Sequence, residues 1–191
     1  MYKYNFETLK NGLKLIRVPN KETNLILFQI LMKLGNDLET KSILECGHFI
    51  EHLFSMFTSP KYPDGKKNRE DMALKNIDLG AEIQNKSIKF VLEFEKKHID
   101  YVIDLVTNAL LDFKVDKTMF KQEQNAVIEE LNAIIKDADY AFETKINKLL
   151  FKDHQRSYSE KMRLTNTKSL TSSNIESYYN KHFTSKNYVI G

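Results

Sequence analysis

Between Ile43 and Phe57 the chain sets two histidines inside an otherwise apolar helical pattern, and no other stretch constrains the fold as strongly. Ile43, Leu44, Phe49, Ile50, Leu53, Phe54 and Phe57 surround them with an apolar stripe. A helix this apolar is buried, and a buried histidine pair needs a reason. His48 and His52 stand four residues apart, so on an α-helix they lie one turn apart on one face and can hold one metal ion between them. Glu51 projects from nearly the same face. Two neutral imidazoles suit Zn²⁺, and a carboxylate beside an open metal position can take a proton from water. The same residues also fit two ordinary helix histidines beside a solvated glutamate. A third ligand separates these readings, and the segment Glu123 to Leu131 offers one, because Glu123 and Glu130 share a helix face seven residues apart.

A chain of 191 residues with 41% hydrophobic residues can bury one good core, so residues 1–191 read as a single domain. The net charge is only +3 and the lysines are spread along the chain, which describes solvated faces and no nucleic-acid footprint. Cys46 is the single cysteine and forms no internal disulfide, in agreement with a reducing compartment, and a cytoplasmic location is expected. No stretch reaches the ~18 consecutive apolar residues of a membrane span, so no membrane partner is expected. Met1-Tyr2-Lys3-Tyr4 does not open a secretory signal, because polar residues interrupt it at once.

Asn11-Gly12 between Phe6-Thr8-Leu9 and Leu13-Leu15-Ile16-Val18 predicts a β-hairpin. The apolar run Leu25 to Leu34 predicts a central strand, closed by Gly35-Asn36-Asp37. After the histidine helix, Ser59 to Gly65 reads as a loop and Arg69 to Leu79 as a short helix ended by Gly80. Ile83 to Phe94 reads as one or two strands, since Ile88, Phe90, Leu92 and Phe94 alternate with their neighbours. Helical spacing marks Ile99 to Leu111, a helix opened by Asp116 that runs to about Lys136, and Ala141 to Leu150. Lys152 to Leu164 is polar and reads as loop. Thr171-Ser172-Ser173 caps a helix to His182, and Asn187 to Gly191 reads as a strand. Strand groups mixed with four or five helices predict an α+β fold, with a mostly antiparallel sheet covered by helices in two layers. His98, His154 and His182 have no partner spacing and read as solvated or locally hydrogen-bonded. Tyr178-Tyr179, Phe113 and Phe120 read as packing.

The order of the motif adds information. His48-x-x-Glu51-His52 reverses the H-E-x-x-H of commoner zinc peptidases. Followed by Glu123-x-x-Ala126-Val127-x-x-Glu130, it resembles the M16 family of inverzincin metallopeptidases, the group of pitrilysin, insulin-degrading enzyme and the mitochondrial processing peptidases. Asn11-Gly12-Leu13 resembles that family's opening hairpin, Gly80-Ala81-Glu82-Ile83 its Gly-Ala strand, and Tyr179 to Gly191 the segment that closes its first domain.

The resemblance implies one zinc ion per chain, held by His48, His52 and Glu130. It implies Glu51 as general base on the water in the fourth position, and Glu123 as an assistant that orients a ligand. Glu129 is the rival ligand. The family register favours Glu130, and Glu129 turns away by about 100° on a helix. The implied activity is hydrolysis of peptides or unfolded segments. The alternative is a non-catalytic peptide-binding or assembly subunit, although silent members typically lose part of the metal motif and all five chemical positions stand here. In the family the Gly-Ala segment is an edge strand on which the peptide substrate adds as a further strand. This chain departs from the pattern there, with Gln84-Asn85-Lys86-Ser87 where members carry Asn-Ala-x-Thr. Lys152 to Leu164 also lacks the family's glycine-containing turn. Members form a chamber from several related domains, so this chain is expected to work with further such domains or a partner subunit.

Overall fold

The computed structural model describes residues 3–152 and 154–191. Asn5–Thr8 (β1) and Lys14–Arg17 (β2) form the predicted antiparallel hairpin. Gly12 in its turn adopts φ 86°, in the left-handed region that glycine enters without steric penalty. Leu25–Met32 (β3), Asp78–Ile83 (β4), Ile88–Glu95 (β5) and Tyr188–Ile190 (β6) complete a six-stranded sheet in the order β1-β2-β6-β3-β5-β4. Only the short β2–β6 pair is parallel, so the sheet is mostly antiparallel. β4 is an edge strand.

Among the described residues seven α-helices accompany the sheet: Cys46–Phe54 (α1), Gly65–Leu74 (α2), Ile99–Leu111 (α3), Lys117–Ile135 (α4), Ala138–Phe151 (α5), Glu160–Ser169 (α6) and Ser172–His182 (α7). The architecture is α+β, as the sequence predicts. Alternation along β3 and β5 sends Ile30, Met32, Phe90, Leu92 and Phe94 to one face, where all are buried with Phe49, Ile50 and Phe54 of α1. The Phe54 and Phe90 rings meet with centroids 4.7 Å apart. Each such side chain contributes about 1.5–3 kcal/mol of burial, so α1 is fixed to the sheet by its own sequence pattern.

β3 is the predicted central strand, covered on one face, with Leu25, Leu27 and Leu31 exposed on the other. The structure departs from the sequence reading in two places. The helix expected over Arg69 to Leu79 starts earlier, because the Asp64 side chain accepts the Lys67 N–H and caps it. It stops at Leu74, Asn76 takes the left-handed conformation, and Gly80 lies inside β4 rather than at a helix end. α6 begins inside the stretch Lys152 to Leu164 read as loop and runs on to Ser169; it is capped by Ser159, buries only Thr167 and so shows no apolar stripe. The tyrosines and phenylalanines read as packing are core: Phe113 stacks on Tyr179 at 4.1 Å, and the Tyr179 hydroxyl donates to the Leu110 carbonyl at 2.8 Å. Among the described residues no helix is long and apolar enough to cross a membrane.

Candidate metal centre

α1 begins under unusual restraint. Glu45, the residue before it, sits at φ 74°, ψ 2°, and the helix receives no side-chain cap from that position. The cap comes from Glu39, whose buried carboxyl group accepts the Glu45 N–H at 3.0 Å and the Gly47 N–H at 2.8 Å. Burial, reinforced by the nearby Glu45 charge, pushes the Glu39 carboxyl up to about 8. At Gly47 α1 passes close to β4: a Cβ there would come within 2.8 Å of the Ile83 side chain. The histidine turn is thereby held against the edge strand.

α4 supplies the opposite wall. Phe120, Gln124, Val127 and Leu131 form its buried stripe, and Glu123 and Glu130 each precede a member of that stripe by one residue. Both therefore lean to the same side, toward α1. The Phe49 and Phe120 rings stack at 5.2 Å, and the Gln124 amide donates to the Thr167 carbonyl at 2.8 Å. The ring stack spaces α1 from α4, and the Gln124 bond ties α4 to α6. Glu129 is exposed and lies outside the cluster.

Four of the five residues singled out in the sequence meet directly, and Glu51 stands beside them. Glu130 Oε2 lies 3.1 Å from His48 Nε2, and Glu130 Oε1 lies 3.6 Å from His52 Nε2. His52 Nδ1 pairs with Glu123 Oε2 at 2.9 Å. His48 Nδ1 pairs with Glu45 Oε2 at 3.0 Å. Glu51 Oε2 is 3.7 Å from His52 Nε2. His98, His154 and His182 join no such group among the described residues.

This geometry fits a zinc ion on three grounds. One potential ligand atom from each of His48, His52 and Glu130 lies within 4.8 Å of the others. Two ligands at ordinary zinc distances and a tetrahedral angle are about 3.3 Å apart, close to the Glu130–histidine separations. Each Nδ1 donates to a carboxylate, which fixes the tautomer that leaves a lone pair on Nε2 facing Glu130. Half of the Glu130 side chain is exposed, whereas the histidines and Glu51 are largely covered, so the centre opens on the Glu130 side.

The electrostatics are those of a carboxylate-rich pocket. Burial works against protonation of His48, but its bond to Glu45 and the surrounding carboxylates outweigh burial and raise its pKa. Burial pushes the Glu51 carboxyl up, against the pull of the His52 and His48 charges. Beside the centre lies a cleft of about 380 Å³, walled by His48, Ile83, Tyr140, Phe151 and Arg156.

Sequence reasoning missed Glu45 and Arg163. Glu45 also accepts from Arg163 of α6, Nη1 to Oε1, at 2.6 Å. Burial opposes ionisation of Glu45, but the His48 hydrogen bond and the Arg163 charge more than offset it and hold its carboxyl below its ordinary value. Nothing in local spacing could pair residues so far apart, although Ser159 ahead of Glu160 is a helix-start signal that would have placed Arg163 on a helix.

Residues 18–168 match the family described as insulinase, peptidase family M16. The chain is similar to the "Uncharacterized zinc protease YmxG" of Bacillus subtilis, 20% identical over 187 residues, covering 96% of this chain and 44% of that protein. Its fold superposes on a protease from Helicobacter pylori with a TM-score of 0.81 at 18% identity, covering 100% of this chain and 46% of that one. On pitrilysin the TM-score is 0.83 at 18% identity, covering 99% of this chain and 20% of that one. The chain spans less than half the length of each of these relatives. Matched over most of its length, this chain belongs to peptidase family M16.

Proposed function

We propose that residues 1–191 form a zinc-dependent endopeptidase domain that hydrolyses peptides or unfolded segments. The observation that carries this reading is the backing of both imidazoles by carboxylates, which turns both Nε2 atoms toward Glu130. His48, His52 and Glu130 would hold the metal. Zn²⁺ bound there supplies Lewis-acid polarisation of a water molecule and of the scissile carbonyl.

The chain's own residues do the rest. Glu51 takes a proton from the attacking water and delivers it to the leaving amine, and its raised pKa suits a group that must both accept and release a proton. Glu123 keeps His52 in the ligating tautomer. The free edge of β4 offers Asp78 to Ile83 for pairing with an extended peptide beside α1. Gln84 does not extend that edge. Its N–H donates to Ser87, its carbonyl accepts from Asn36, and its side chain donates to Glu82 at 2.7 Å.

The test is elemental analysis joined to a cleavage assay. One zinc per chain is expected, absent from the His48→Ala, His52→Ala double variant. Glu51→Gln should retain zinc and slow hydrolysis by about 10²–10⁴-fold in the assembly that contains this domain. Residues 1–191 alone should turn over slowly even with zinc bound, because positioning by further domains can supply ~7–11 kcal/mol of a barrier. Stoichiometric zinc in the double variant, or full activity of Glu51→Gln, would sink the reading.

A further inference from the structure

Glu45 is hard to account for as a packing residue. It occupies φ 74°, where a side chain is strained and glycine is favoured, yet it is a buried glutamate, only 4% exposed. Its two carboxylate oxygens have different partners. Oε2 takes His48 Nδ1 at 3.0 Å, and Oε1 takes Arg163 Nη1 at 2.6 Å. The left-handed backbone is itself clamped by Glu39, which binds the N–H groups on both sides of Cys46. α6, which delivers Arg163, is tied to α4 by Gln124 and to the loop before α1 by the Asn166 side chain, which donates to the Lys41 carbonyl at 2.6 Å. Strain, burial and a charged partner from a distant helix thus converge on one imidazole nitrogen.

We propose that Glu45 is a positioning residue that fixes the tautomer and ring orientation of His48, with Arg163 as the counter-charge that keeps the carboxylate in place. It acts through His48 and touches neither substrate nor metal. The arrangement differs from that at His52, where the backing carboxylate, Glu123, comes from the same helix as Glu130 and sits in an unstrained helical backbone. The inference rests on the proposed metal centre for its function, but its structural content, the state of the His48 ring, stands apart from metal.

The test uses the Glu45→Gly, Arg163→Leu double variant, which gives the left-handed position its natural residue and removes both members of the buried ion pair together. Zinc Kd is measured by chelator competition, Tm by calorimetry, and the His48 tautomer by ¹⁵N NMR of the metal-free protein above the histidine titration. The expected result is a Tm no lower than wild type, zinc binding weakened about 10–100-fold, and a His48 ring that exchanges between tautomers instead of holding Nδ1–H. Unchanged Kd with an unchanged tautomer overturns the proposal, as does a lower Tm with both unchanged, which would make the pair a structural tie only. Where affinity and folding fall together, the tautomer decides. A wild type that binds no zinc removes the metal reading, and the wild-type ring still judges Glu45: an Nε2–H tautomer there refutes it.

Discussion

α1 and α5 both border the cleft beside the candidate centre, and they are held in opposite ways. Six of the nine residues of α1 are buried, whereas α5 runs for 14 residues without one. Phe142, Leu149 and Leu150 of α5 are 66%, 79% and 69% exposed. The histidines therefore ride on the best-packed helix, across the cleft from one that buries no residue fully and turns Phe142, Leu149 and Leu150 to solvent. Metal ligation tolerates little displacement, so its residues belong where packing leaves a side chain few alternatives.

The contrast breaks most easily at Phe49, fully buried in α1 and stacked on Phe120. Phe49→Ala should cost about 3–5 kcal/mol in urea unfolding. It should also weaken zinc binding, because the ring sets the spacing between α1 and α4. A loss below about 1 kcal/mol would mean that α1 is not the packed member of the pair.

A pH series probes how the start of α1 is secured. The Glu39 carboxyl has its folded pKa raised from 4.5 to about 8, so the folded state binds more protons than the unfolded chain between those values. Stability from this group is thus full below about pH 4.5 and falls as pH rises toward 8, by something on the order of 2–4 kcal/mol. The groups facing it are the Glu45 carboxylate, Arg163, the thiol of Cys46 and the hydroxyl of Tyr178, the last two pushed up by burial. Glu39→Gln should flatten the decline of Tm between pH 5 and 8 (~2–4 °C per kcal/mol for a chain this size). A profile as steep as wild type's would assign the decline to another group.

The smallest effect belongs to α5. Leu149→Ser should shift unfolding by no more than about 0.5 kcal/mol, since the side chain is already solvated. A loss above about 1 kcal/mol would show α5 packed in solution and the contrast exaggerated.

What could be read from the sequence follows the range of each interaction. The relation of His48, Glu51 and His52 is fixed by helical geometry over four residues, and that of Glu123 and Glu130 over seven, so both were legible once a helix was recognised. α3 ends where its apolar spacing says, and α4 starts at its Asp116 cap. The insertion of β6 between β2 and β3 is a long-range pairing with no local signature. α6 was invisible to periodicity because it buries one side chain, and with it went Arg163, whose bond to Glu45 spans 118 residues. β3 is the central strand that its apolar run predicts, and which of its faces is covered has no local signature: Leu25, Leu27 and Leu31 meet water in this chain.

The two halves of the candidate centre come from helices far apart along the chain, with His52 and Glu123 separated by 71 residues. An ion bound by both helices would be a reversible cross-link, closing a long loop much as a disulfide does, but responsive to the surrounding free-metal level. Zinc at 100 times its Kd would add about 2.7 kcal/mol to the folded state by mass action, and a chelator would withdraw it. The survival of this chain against proteolysis would then track metal supply, and a centre proposed to cut unfolded peptides would also govern how often its own chain becomes one.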